Sequence, residues 1–117
     1  MDLNQAIEKH SEWKIKFRQA ISDKETMDAE TIAKDNCCEL GKWLHSEAKS
    51  KFDKFPSYSD CVTKHAAFHA EAGKVATTIN AKKYTEAEAM IGPATPYTAA
   101  SSAVRHAIMH LKQEAGI

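Results

Sequence analysis

Valine is nearly missing from this chain, at 3 of 117 residues, while alanine occurs 19 times. β-branched residues favour strands and alanine is the best helix former, so a sheet architecture is excluded and helix is expected throughout. Glycine and proline are also few, at 4 and 3 residues, which suits a small number of interhelical turns. There is no excess of charge of either sign, with 16 basic and 16 acidic residues. That removes the electrostatic footprint by which proteins bind nucleic acid or anionic membrane surfaces. No apolar run reaches the ~20 residues of a membrane span. The opening Met1-Asp2-Leu3-Asn4-Gln5-Ala6 has neither the basic nor the apolar region of a secretion signal. A soluble, cytoplasmic, single domain over 1–117 is therefore expected. The three cysteines cannot all pair internally, and a bridge between the neighbours Cys37 and Cys38 strains the backbone, so a disulfide scaffold is not expected.

Large apolar residues are scarce as well. Leu, Ile, Val and Phe together make up 19 of 117 residues, below the ~20% associated with disorder, but the large net charge that disorder also requires is absent. A helical domain with so thin an apolar complement needs a metal, a partner or both. Six histidines and three cysteines are the residues to supply the former.

The periodicity predicts a first helix over Leu3 to Ile21, with Leu3, Ile7, His10, Phe17 and Ile21 on one face and Trp13 beside it. Ser22 to Asp28 reads as a loop. A second helix is expected from an N-cap at Asp28, carrying Ile32, the cysteine pair, Leu40 and Leu44, with Gly41 marking close packing. Phe52 to Ser59 is the next turn, and Ser57 with Asp60 resembles a capping box. A third helix follows to about Ile79, with Val62, His65, His69, Ala72, Ala76 and Ile79 along one seam. After a connection at Asn80 to Lys83, a fourth helix starts at Tyr84 to Ile91, breaks at Gly92-Pro93, and resumes from the Thr95 cap and Pro96 to about Glu114. The fold class expected is all-α, an antiparallel four-helix bundle with the last helix interrupted near Pro93.

His65 and His69 lie one turn apart on the apolar seam of the third helix, and His10 lies on the apolar face of the first. A buried imidazole costs free energy unless its nitrogens are satisfied, and a metal ion satisfies several at once. Three imidazoles and one thiolate make a closed tetrahedral zinc set. The thiolate comes from the cysteine pair; helical phase selects Cys37, in register with Leu40 and Leu44, and sets Cys38 one residue further round with Gly41. His106 and His110 fall on the polar side of the last helix and His45 reads as exposed. Cys61 reads as a small packing residue.

Three elements of the chain resemble the chemoreceptor zinc-binding (CZB) domain: His10-Ser-Glu-Trp13, Cys38-Glu-Leu-Gly41-Lys-Trp43 and His65-Ala-Ala-Phe-His69. Lys83-Tyr84-Thr-Glu-Ala-Glu-Ala and Pro96-Tyr97-Thr-Ala-Ala-Ser-Ser are similar to the same family. The resemblance implies zinc held by His10, Cys38, His65 and His69, because the family's cysteine stands three residues before the glycine; this overrides the phase argument for Cys37. It further implies that Gly41 permits close helix approach and that Trp13 and Trp43 pack around the site. Asp35 is either an acceptor for a ligand imidazole or an exposed helix acid.

Four protein ligands leave no open coordination position, and no Ser-His-Asp set, phosphate loop or paired catalytic carboxylates stand out, so a sensor and not an enzyme is expected. The resemblance implies two triggers, zinc availability and oxidation of Cys38 by an oxidant such as hypochlorous acid. It also implies a homodimer acting on a chemoreceptor or diguanylate cyclase, in the same chain or another, and so on chemotaxis or cyclic-di-GMP output. A hemerythrin-like di-iron bundle is the rival, with His10, His45, His65, His69 and His106 imitating its ligand order. It lacks the bridging carboxylates, since Lys49 and Leu111 stand where they belong. A structural zinc dimerisation module uses the same four ligands and is the second rival.

Overall fold

The computed structural model describes residues 1–117. Helix covers 75% of the chain and there is no strand, as the alanine-rich, valine-poor composition requires. The helices are α1 (Leu3–Ser11), α2 (Trp13–Asp23), α3 (Ala29–Ile32), α4 (Glu39–Leu44), α5 (Glu47–Phe52), α6 (Pro56–Asn80), α7 (Tyr84–Met90) and α8 (Pro96–Ala115). They form a helical bundle in which α6 and α8 make the most extensive contact.

The expected first helix is α1 and α2 in succession. Glu12 between them keeps right-handed helical angles, donates its N–H to the Glu8 carbonyl and accepts from the Lys16 N–H, so the path continues with one irregular residue. Asp2 caps α1 by accepting from the Asn4 and Gln5 amides. α2 ends at Lys24 in a left-handed conformation, φ 55°. Pro56 and Pro96 open α6 and α8 at positions where a missing N–H costs nothing, and Thr95 caps α8 through the Thr98 amide.

The expected continuous second helix is not there. Asp28 does cap α3 through Thr31, but α3 stops after four residues. Residues 33–38 are turn and bend, and helix resumes only at Glu39. Lys34-Asp35-Asn36 is rich in side chains that compete with the helical ladder, which explains the break. The bend folds back onto α4 at Gly41, where a Cβ would lie 1.7 Å from the Asp35 carbonyl oxygen. Only glycine fits. Gly73 does the same for α3 against α6, since a Cβ there would meet Ala33 Cβ at 2.6 Å.

The Ser57–Asp60 capping box does not form either. α6 begins one residue earlier at Pro56, and the Ser57 amide and hydroxyl both donate to Glu114 Oε1, at 3.2 and 2.6 Å. A carboxylate from the end of α8 thus serves the first turn of α6. At the other end of α6, Asn80 accepts from the Met27 amide and donates to the Met27 carbonyl, both at 2.7 Å, and pins the connection before α3.

The buried set of 22 apolar residues is built around Phe17, Phe68, Leu40, Leu44, Ile79, Ile91, Ile108 and Leu111. Phe17 and Phe68 both pack against Tyr97 at 5.7 Å between ring centroids, edge-on for Phe17 and tilted for Phe68. Only four polar residues are buried with them: His10, Ser57, His65 and His69. No helix is long and apolar enough to cross a membrane.

Candidate metal centre

Three of those four buried polar residues meet at one point. His10 comes from α1, His65 and His69 from successive turns of α6, and Cys38 from the N-cap position of α4. One donor atom from each lies within 4.8 Å of all the others. The histidine contacts are Nε2 to Nε2, at 3.1 Å for His10–His65 and 3.0 Å for His65–His69. Cys38 Sγ stands 3.2, 3.6 and 3.9 Å from Nε2 of His65, His69 and His10.

Five of the six separations lie near the edges of a zinc tetrahedron, and the sixth, between His10 and His69, is within 4.8 Å. Zn–N bonds of ~2.05 Å and a Zn–S bond of ~2.3 Å set N···N edges near ~3.3 Å and S···N edges near ~3.6 Å. The hydrogen bonding fits a cation too. His10 Nδ1 lies 2.7 Å from the Ala6 carbonyl and His69 Nδ1 lies 2.8 Å from the Ile32 carbonyl. A carbonyl only accepts, so both Nδ1 atoms carry the proton, and both neutral rings turn an Nε2 lone pair to the common centre. His65 Nδ1 has no partner and is the single buried side-chain nitrogen or oxygen without one.

Burial keeps the rings neutral. It lowers the pKa of His10 to about 4, against the raising effect of the Ala6 carbonyl bond, and that of His65 to about 2, with the neighbouring His69 and His10 adding to the drop. His69 is also lowered by burial, in part offset by its bond to Ile32. Burial raises the Cys38 thiol above its ordinary value, while the Gly41 N–H, 3.3 Å from Sγ, pulls the other way. Neutral nitrogen donors and a sulfur that ionises only with help are the donor chemistry of a zinc site: a cation at the centre supplies that help.

The bend before α4 turns Cys38, and not Cys37, toward the cluster. Cys38 has extended backbone angles, φ −82° and ψ 163°, so helical phase does not apply to it, and its side chain turns inward to cap Gly41. Cys37 is exposed, with its Sγ 3.6 Å from Asn36 Oδ1. Cys61 is fully buried in the core, and burial pushes its thiol up to about 12. His45, His106 and His110 are exposed. His45 Nε2 bonds the Asp35 carboxylate at 3.0 Å, so Asp35 serves neither as acceptor for a cluster imidazole nor as a helix acid. The second-nitrogen partners are the backbone carbonyls of Ala6 and Ile32, which residue identity does not signal. With His45 and His106 on the surface, the di-iron ligand order does not assemble. Trp43 packs on Phe52 at 6.0 Å between centroids.

A cavity of about 410 Å³ reaches the cluster. Lys9, His10, Trp13, Cys38, Glu39 and Leu40 line it, and His65 and His69 do not. A Lys9–Glu39 ion pair of 3.3 Å spans α1 and α4 beside it. Cys38 is thus the half-buried member of an otherwise buried donor set.

Comparison with known families matches residues 10–76 to the one described as the chemoreceptor zinc-binding domain. The matched stretch is more than half of the chain, starts at His10 and includes Cys38, His65 and His69. Neither the curated proteins nor the solved structures contain a match.

Proposed function

The chain belongs to the chemoreceptor zinc-binding domain family, a family of regulatory zinc-binding domains, and we propose that His10, Cys38, His65 and His69 hold one zinc ion whose occupancy, and whose cysteine, report a chemical signal. The observation that carries this reading is the convergence of four donor atoms within 4.8 Å, with two Nε2 lone pairs fixed inward by Nδ1–H bonds to backbone carbonyls.

Four protein donors complete a tetrahedral set, so the reading is regulatory and not hydrolytic. Zinc, when bound, would hold the Cys38 sulfur as thiolate, the form that oxidants attack. His10 anchors α1, Cys38 anchors the bend before α4, and the His65–His69 pair anchors α6. Loss of the sulfur donor frees the bend from the other two. The cavity beside Cys38 admits a small oxidant such as hypochlorous acid to it while the buried α6 histidines do not line that cavity. On this reading the chain is one sensory domain of a bundle of antiparallel helices, works as a homodimer in the cytoplasm, and passes altered helix packing to a chemoreceptor or diguanylate cyclase.

Elemental mass spectrometry of the purified wild type, Cys38→Ala and Cys37→Ala tests the site. About one zinc per chain, lost with Cys38 and kept without Cys37, is the expected result. Two irons per chain, indifferent to both cysteines, overturns it. Hydrogen exchange with and without zinc, and after oxidation, tests the signal: an unchanged protection pattern rules out transmission through helix packing.

A further inference from the structure

We propose that Cys37 is the resolving thiol for Cys38, converting the oxidised site into a reversible disulfide between neighbouring residues. The inference rests on the reading above, that Cys38 is the oxidant's target. It starts from three observations. Cys37 is exposed while Cys38 faces the donor cluster, so one thiol stays free when the other is engaged. The two stand in a bend, not a helix, and the amides of Asp35, Asn36, Cys37 and Cys38 donate to no backbone carbonyl. The sole polar partner of the Cys37 sulfur is the exposed Asn36 side chain, at 3.6 Å.

The bend matters because a disulfide between adjacent residues distorts the backbone. In a helix that distortion would break the hydrogen-bond ladder, whereas these four amides have no ladder to lose. Cys61 does not compete, since it is fully buried and outside the donor cluster.

The chemistry balances in two steps. Hypochlorous acid takes two electrons from the Cys38 thiolate: an S–O bond forms, the O–Cl bond breaks, and the products are a sulfenic acid and chloride. The Cys37 sulfur then attacks the Cys38 sulfur; an S–S bond forms, the S–O bond breaks, and the hydroxyl leaves with the Cys37 proton as water. The disulfide no longer offers a thiolate donor, so three histidines remain. Strain makes such a bridge easy to reduce, so a dithiol returns both thiols and the complete donor set. Without Cys37 the sulfenic acid stays open to a second oxidation, to the sulfinic acid, which a dithiol does not reverse.

The test treats the zinc-loaded chain with two equivalents of hypochlorous acid, enough to carry an unresolved Cys38 past the sulfenic acid, blocks free thiols with iodoacetamide, and maps the tryptic peptide Asp35–Lys42, which holds both cysteines. Zinc is then offered back after dithiothreitol treatment. The expected wild-type product is the unalkylated peptide lighter by two hydrogen atoms, with zinc binding recovered. Cys37→Ser is expected to give Cys38 carrying two or more oxygens and at least about tenfold less recovery. Oxygenated Cys38 beside alkylated Cys37, with equal recovery in both proteins, overturns the resolving role and leaves the oxidation reading standing. A Cys37-linked dimer on a non-reducing gel without the cyclic peptide also overturns it. Unmodified Cys38 with zinc retained overturns both proposals.

Discussion

Stripping the metal from this chain exposes a pH dependence whose size follows from the burial of the histidines. In the metal-free fold His10 has a pKa of about 4 and His65 of about 2, whereas an unfolded chain returns both to 6.5. Between 6.5 and the folded values the unfolded state binds more protons, so stability falls as pH falls. At about pH 5 both rings are still neutral in the fold and nearly fully protonated once unfolded. Each therefore removes ~1.5 pH units of linkage at 1.36 kcal/mol per unit, or about 2 kcal/mol, and the pair about 4 kcal/mol. That is a large share of the ~5–15 kcal/mol by which a domain is stable.

Urea unfolding of the chelator-treated chain, near pH 7.5 and near pH 5, reads this directly. With a slope of ~1.5 kcal/mol per molar, the midpoint should drop by about 2–3 M. The window is clean of carboxylate effects. Hydrogen bonds from Thr31, Lys51 and Ser57 hold Asp28, Glu47 and Glu114 below their ordinary values, so any stability they add is lost only below about pH 4.5. His10→Leu should take about 2 kcal/mol off the drop, because its ring is removed while His65 and His69 still titrate on unfolding. A midpoint that moves by less than ~0.5 M refutes the reasoning, since three neutral imidazoles buried together cannot leave folding indifferent to their protonation.

Two further perturbations follow from the packing around the site. Gly41→Ala places a Cβ on the Asp35 carbonyl oxygen and must displace the bend that precedes Cys38. A loss of about 3 kcal/mol in urea unfolding is expected, with weaker zinc binding in a competition titration; native zinc affinity in that variant would contradict the coupling of bend and site. Asn80→Ala removes both side-chain bonds to Met27, far from the donor cluster along α6. It should cost about 2 kcal/mol and leave zinc stoichiometry unchanged by elemental analysis.

Where a local rule governs a position, the chain's sequence carries the answer. Asp28 and Thr95 cap, Pro96 starts a helix, and Gly92-Pro93 ends one, each through chemistry confined to three or four residues. Ser57 shows the limit. Its spacing to Asp60 satisfies the capping pattern, yet its hydroxyl goes to Glu114, 57 residues away, because the end of α8 packs beside the start of α6. No window of sequence contains that partner. The histidines fall between these cases. Their placement on apolar seams is a periodic signal and puts His10, His65 and His69 indoors, but the Ile32 carbonyl that orients His69 belongs to a backbone whose path depends on the fold.

Cys38 is the instructive failure of periodicity, and it bears on how the site works. Phase assigns Cys37 because it presumes that a helix started at Asp28 runs on to Leu44. The break at 33–38 voids that premise and lets a residue one step out of register turn inward. The same break gives the segment its mechanical character. At one end the Ile32 carbonyl accepts from His69, and at the other Cys38 lies against the same histidine pair. Between these attachments the bend is held by the close approaches at Gly73 and Gly41 and by the exposed Asp35–His45 bond, and the amides of residues 35–38 donate to no backbone carbonyl. A helix in this place would resist the loss of one sulfur contact through its own hydrogen-bond ladder. A bend tied at two points to one histidine pair would pass that loss on to α4, so the irregularity that defeats the sequence pattern is the feature that the proposed sensing of cysteine chemistry requires.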